Sequence, residues 1–346
     1  MWHAADLRDR LIAAGYYGHG EKGDKLPSFH WHDFMQKRDD YVKMLNGVYD
    51  RNLQRENVES HQGWGCIKDA NTVEVTKDDQ STYELKTDHI VLAVGGRPTA
   101  PPDTEIPGAS YGIDSNGFFE LTEQPKKVVI VGAGYIAVEL AGIFNTLGTE
   151  THLVIRRDKV LGKFDPDIQT VLTEWMEHTG VHIHKNSKVT KVEGSEKAKP
   201  VTVHTVTGED RGKGKIEADV LIWAIGRNPN TENLGLGNVN IEVTEDGIIP
   251  VDEHQMTSVR NIHAIGDVTG QALLTPVAIA AGRRLCNRLF GPEKFKDQKL
   301  NYENIATVVF SSVIFFFSCF FDSAIIYLLI NYFFPKSVIP LSVPLV

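Results

Sequence analysis

Cysteine is scarce in this chain. Its 346 residues include three, Cys66, Cys286 and Cys319, far apart and without C-x-x-C or metal-ligand spacing. That excludes a dense disulfide framework and a thiol-ligated metal centre built from sequence neighbours. Basic residues are the minority: 36 Lys and Arg against 45 Asp and Glu give a formal net charge of −9. Such a balance argues against nucleic acid as a partner, although local basic patches still bind phosphates. Thirteen histidines are scattered and none falls in a recognisable metal pattern, so no metal is expected; His3, His19, His30 and His32 read as surface or interface residues. The N-terminus has no basic region followed by an apolar stretch. No secretory signal is therefore expected, and a reducing intracellular compartment is the default. The length suffices for two or three domains.

What is present is concentrated in Val128 to Arg157: an apolar strand over Lys127–Val131, a Gly-rich turn, a helix over Tyr135–Thr146 and a second strand. Gly132-Ala133-Gly134-Tyr135-Ile136-Ala137 fits G-x-G-x-x-A. The first glycine permits a tight turn, and the second lets a pyrophosphate approach the backbone at a helix N-terminus. Both flanks that would confirm a dinucleotide site are there; the alternative is an ordinary strand–turn–helix. About 20 residues on, an NAD site usually carries Asp or Glu for the ribose 2′-hydroxyl. Here Arg156 and Arg157 stand instead. A guanidinium suits a 2′-phosphate, which favours NADPH over NADH. Two solvated surface arginines are the competing explanation.

Along the chain, residues 1–95 are mixed. Asp33 to Asn57 has the periodicity of an amphipathic helix, with Phe34, Tyr41, Met44, Leu45 and Val48 as candidate core positions. Strands are expected near 58–60, 72–75 and 82–86, then a buried strand from His89 stopped by Gly95 and Gly96. Residues 96–126 hold several prolines and suggest a linker; 127–229 form the dinucleotide-binding domain. The segments Ile90–Pro98 and Leu221–Pro229 echo each other as apolar strand, Gly, Arg, Pro, which suggests two lobes of related build. Residues 230–311 return to the first lobe through Asn261–Val268 and a helix over 274–290, with Thr275 as N-cap and Pro276 at its first position.

The stretches GAGYIAVE at 132–139, WAIGRNPNT at 223–231, HAIGDV at 263–268 and LLTPVAIAAGR at 273–283 resemble the pyridine-nucleotide–disulfide oxidoreductases, most closely the glutathione reductases. The resemblance implies an α/β fold of two Rossmann-like lobes binding FAD and NADPH, and a relay from NADPH through FAD and a cysteine pair to glutathione disulfide, in a homodimer. By resemblance Gly132, Gly134, Ile136, Arg156, Arg157 and Arg227 contact the nucleotide. Tyr135 is similar to the ring that covers the flavin, and Glu139 to the carboxylate near its reactive edge. Asp267 resembles a ligand of the FAD ribityl–phosphate side. The amides after Leu274, from Thr275 on, resemble the helix end facing the reduced flavin. Tyr49 and Arg283 match positions near glutathione disulfide.

Departures from the family accompany these matches. No Gly-rich turn precedes residue 132, so the FAD lobe over 1–95 is expected to be incomplete and FAD retention weak. The family's C-x-x-x-x-C pair has no counterpart, and neither does its interface domain with a His–Glu pair. No catalytic residue is therefore assigned, and this chain alone is expected not to reduce a disulfide. It would then be a partial form of the reductase, or an NADPH-binding module without chemistry. Gly162 stands where NADPH-using members carry a second arginine, leaving Arg157 or Lys163 to supply that charge. After Ser311 the sequence turns Phe-rich. From Val308 to Phe334 only Asp322 and Asn331 are strongly polar, long enough to span a bilayer, which takes about 20 apolar residues. The abrupt change over 312–346 suits translated non-coding sequence; a membrane anchor for a tethered remnant is the alternative. Cytosol and mitochondria are both compatible.

Overall fold

The computed structural model describes residues 1–19, 27–195, 198–208, 212–303, 305–311 and 315–317. The chain opens with helices α1 (Trp2–Tyr16) and α2 (Trp31–Arg55). Strands β1 (Trp64–Asp69), β2 (Thr72–Thr76), β3 (Thr82–Lys86), β4 (Ile90–Leu92) and β5 (Gly96–Pro98) lead to the short α3 (Ser115–Glu120). The central lobe runs through β6 (Lys127–Val131), α4 (Tyr135–Thr146), β7 (Glu150–Val154), α5 (Pro166–His178) and β8 (His182–His184). It continues through β9 (Ser187–Ser195), β10 (Ala198–Thr207), β11 (Gly212–Ala218) and β12 (Val220–Trp223). Last come β13 (Arg227–Pro229), β14 (Ile262–Ala264), α6 (Thr275–Phe290), β15 (Thr307–Val309) and β16 (Phe315–Phe317).

A four-stranded parallel sheet in the order β12-β6-β7-β8 organises the central lobe. The chain steps outward from β6 to β8, then returns to the other side of β6 as β12. Reversals of this kind open a crevice at the carboxyl ends of the strands, where doubly wound sheets take their ligands. Asp219 fixes the return: its carboxylate accepts the Lys126 and Lys127 amides at 2.7 and 3.0 Å, at the start of β6. Both faces of β6 are covered, as its unbroken apolar run requires. Val128 and Ile130 pack with Phe144, Leu153, Leu172 and Ile222 beneath the helices. Val129 points the other way, with Val154, Leu221 and Trp223, against the antiparallel sheet β11-β10-β9.

Helix α2 forms nearly where periodicity placed it, but its predicted apolar stripe is not its contact. Tyr41 and Met44 are 58% and 48% exposed, and Trp31 is its one buried residue. The helix is anchored at its first turn rather than along its length. The Trp31 ring stacks on Phe144 at 5.8 Å and 6°, meets Phe118 edge-on at 6.4 Å, and donates its Nε1–H to the Leu121 carbonyl.

Other expectations shift locally. Residues 58–60 form no strand, whereas the glycine-flanked β1 pairs with β2. Gly96 does not stop a strand; it begins β5, where a Cβ would lie 2.8 Å from the Asn228 carbonyl oxygen. The two echoing segments meet there, with Arg227 opposite Pro98, Asn228 opposite Arg97 and Pro229 opposite Gly96 in an antiparallel pair. Their apolar halves stay apart: β12 joins the central sheet, while β4 pairs in parallel with β14 over a separate core that includes Ile67, Ile249 and Val268. Most of the apolar stretch over 308–334 lies outside the described residues. Among those described, no helix is long and apolar enough to cross a membrane, and Val308 and Val309 belong to β15, paired antiparallel with β16.

Candidate nucleotide-binding site

The Gly-rich turn sits at the carboxyl end of β6, in the crevice between β6 and β12. Gly132 has φ of +141°, and a Cβ on it would stand 2.2 Å from the Ala224 carbonyl oxygen at the end of β12. Only glycine tolerates both conditions. Gly134, at the N-cap of α4, differs: its φ is −83° and a Cβ there would meet nothing within 4 Å. Its outer face is open, as a phosphate approaching the backbone requires. No side chain caps α4, so the amides at Tyr135 and Ile136 face that opening at the positive end of the helix dipole.

The loop after β7 is tied to the same turn. The Leu161 amide donates to the Ala133 carbonyl at 2.7 Å, and the Asn186 amide to the Arg157 carbonyl at 3.0 Å. Arg156 and Arg157 are exposed at its start. A Cβ on Gly162 would lie 3.6 Å from Arg157 Nη1, so the Arg157 guanidinium already reaches the space beside the residue that departs from the family.

Three charged residues singled out by sequence act on a fourth, Tyr135, electrostatically. Tyr135 is half-buried at the head of α4. Burial raises its hydroxyl above the ordinary value, the Arg227 guanidinium opposes, and the Asp267 and Glu139 carboxylates add to the rise. Glu139, one turn along α4, accepts the Phe310 amide at 3.1 Å. Arg227, in β13, donates from Nη2 to the Gly96 carbonyl. Asp267 stands in the 3-10 turn Gly266–Thr269 and shares with Arg227 a cleft of about 790 Å³ that also reaches Gly96, Thr231 and Gly247. Helix α6 packs against this turn, since a Cβ on Gly266 would touch Ala278 at 3.2 Å. Its N-cap is Leu274, not Thr275, and Pro276 is its second residue; no side chain caps it, so its amide end is free.

Tyr49 on α2 and Arg283 on α6 are both exposed. Among the described residues no hydrogen bond or ring contact joins them to each other or to the cluster above. Sequence reading missed the Phe310 amide, which carries no side-chain signal, and the Gly96 carbonyl, whose partnership with Arg227 depends on the β5–β13 pairing.

Burial pushes the Glu139 carboxyl up, and the Phe310 amide opposes that rise. The folded state therefore holds this proton more tightly than the unfolded chain. That stability is fully present below the ordinary glutamate value and is lost as pH rises through the raised one. Glu139→Gln, which keeps an acceptor for Phe310, is expected to raise the thermal midpoint by a few degrees near pH 7 and to leave it unchanged near pH 4. Equal shifts at both pH values would remove the burial account of this carboxyl.

Residues 10–282 match the pyridine nucleotide-disulphide oxidoreductase family, and the chain belongs to it. Among curated proteins it is 44% identical over 317 residues to a glutathione reductase of Yarrowia lipolytica, covering 90% of this chain and 66% of that one. It is 44% identical over 316 residues to a glutathione reductase of Schizosaccharomyces pombe, covering 90% and 65%. A third, from Debaryomyces hansenii, is 42% identical over 336 residues, covering 90% and 66%. The chain thus spans about two thirds of the length of the curated relatives it matches.

Proposed function

We propose that this chain carries the NADPH-binding lobe of a flavin-dependent glutathione-disulfide reductase. The observation that carries the proposal is the open outer face of Gly134 beside an uncapped helix end, followed by Tyr135, on whose hydroxyl Arg227, Asp267 and Glu139 act. The turn fits a pyrophosphate: Gly132 closes against Ala224 and Gly134 leaves the approach clear. Arg156 and Arg157 are free to pair with a 2′-phosphate. Tyr135 would cover the ring of a flavin lying beyond α4, and Glu139 would hold a proton at its half-buried carboxyl. Asp267 and the free amide end of α6 would hold the flank of FAD within the cleft shared with Arg227. The flavin, when bound, supplies the two-electron transfer between nicotinamide and disulfide. Tyr49 and Arg283 would contact glutathione disulfide, Arg283 through a carboxylate.

Nucleotide selection is the first test. Fluorescence titration of the wild-type chain should show tighter binding of NADPH than of NADH. Replacing both Arg156 and Arg157 by alanine should remove about 10–100-fold of that preference, the range expected for losing charge-assisted pairing to a phosphate. Equal affinity for the two nucleotides in the wild type would overturn the assignment of the arginines.

Cys66 is half-buried and Cys286 exposed, and both are free thiols; Cys319 lies outside the described residues. A relay needs two sulfurs close enough to bond, with Cα atoms about 6 Å apart; Cys66 lies on β1 and Cys286 on α6. A protein of these 346 residues supplied with FAD is therefore expected to show no glutathione-disulfide-dependent oxidation of NADPH. Steady turnover would contradict that and point to a thiol pair formed within this chain.

A further inference from the structure

We propose that the outer edge of the parallel sheet, at β7 and β8, is a divalent transition-metal site. Its ligands are Glu150, His152 and His182, and His184 orients His152. Strand pairing builds it from residues that the sequence keeps far apart. β7 and β8 run parallel with His152 opposite His182. The alternation of a strand puts His182 and His184 on one face of β8. The His152 ring lies 4.8 Å from His182 and 5.2 Å from His184, at interplanar angles of 27° and 18°. One ligand atom from each of Glu150, His152 and His182 falls within 4.8 Å of the other two.

The hydrogen bonds around the cluster suit a cation. His152 Nε2 is 3.0 Å from Glu150 Oε1, and its Nδ1 is 2.9 Å from His184 Nε2. With a metal on Nε2, the proton sits on Nδ1 and is donated to His184, the outer hydrogen bond that fixes a ligating imidazole. In the ion's absence Lys127 Nζ, 2.7 Å from Glu150 Oε1, balances the carboxylate.

A tetrahedral zinc site has ligand bonds of about 2.0–2.2 Å, which puts its donor atoms roughly 3.3 Å apart. Glu150 and His182 are exposed and free to rotate inward by that margin. Three protein ligands leave a fourth position for water. Two imidazoles and a carboxylate select Zn²⁺, Cu²⁺, Ni²⁺ or Co²⁺ rather than Mg²⁺ or Ca²⁺, which take oxygen ligands. The site also touches the nucleotide loop: the His184 carbonyl accepts the Ile155 amide at 3.1 Å, one residue before Arg156.

Calorimetric titration of the full chain with zinc chloride alone tests this. One saturable equivalent is expected, together with a rise in thermal midpoint. His182→Ala should weaken binding at least tenfold and abolish the thermal shift, and Glu150→Gln should weaken it similarly. Both side chains are exposed, so the fold tolerates their loss. His19→Ala, on α1's C-terminal side, should bind as the wild type does. Wild-type affinity in both His182→Ala and Glu150→Gln, or no saturable binding in the wild type, would overturn the site.

Discussion

Replacing Gly132 with valine is expected to abolish nucleotide binding and to destabilise the central lobe by roughly 2–5 kcal/mol. Two independent costs combine. At φ +141° a side chain strains the backbone, and its Cβ would press to 2.2 Å from the Ala224 carbonyl oxygen. Neither atom can yield cheaply, because Ala224 is held by its own amide on the Val131 carbonyl at 2.8 Å. Gly134→Ala separates folding from binding. Its φ is −83° and its Cβ would meet nothing, so thermal stability should match the wild type. The methyl group would stand where the pyrophosphate approaches, and NADPH affinity should fall at least tenfold. Thermal unfolding and nucleotide titration of both variants check the pair. A Gly132→Val protein that folds and binds normally would show that the turn is not built as described.

Phe144→Ala is expected to cost about 3–5 kcal/mol, a large share of the ~5–15 kcal/mol that holds a typical domain. Phe144 is fully buried. It stacks on Trp31 at 5.8 Å and meets Phe118 edge-on at 5.3 Å, and each such pair contributes about 0.5–1.5 kcal/mol beyond area burial. The residue therefore joins α4, α2 and α3. Denaturant unfolding should show the loss, and limited proteolysis should cut α2 faster in the variant. Phe144→Leu should lose much less. A midpoint unchanged in Phe144→Ala would mean that α2 is held by something other than this aromatic stack.

The parts of this molecule that were legible in sequence are those whose signal is local. β6 is an apolar run closed by glycine, and α4 follows it with helical periodicity; both formed where expected. Gly132 could be read because it answers a steric demand of its own, at φ +141° and 2.2 Å from the Ala224 carbonyl oxygen. Long-range pairing was harder. β1, with Gly65 in it and Gly63 before it, carries no strand signal of its own and is a strand through its pairing with β2. Tyr41 and Met44 occupy helical core spacing, but α2 meets the lobe through its first turns, at Trp31, Met35 and Arg38. Thr275 reads as a cap, yet the chain turns one residue earlier, at Leu274. The histidines on β7 and β8 are 30 residues apart, and only the parallel register brings them together. Tyr49 and Arg283 came from family resemblance and lie on separate helices.

The most direct test of the account is limited proteolysis of the full chain in the presence of NADPH, NADH or neither. NADPH bound at the α4 N-terminus and at Arg156 and Arg157 should protect residues 127–226 as one resistant fragment, and NADH should protect them much less. Equal cleavage with and without NADPH would mean that the turn, open as it is, does not hold the nucleotide, and the central claim would fail.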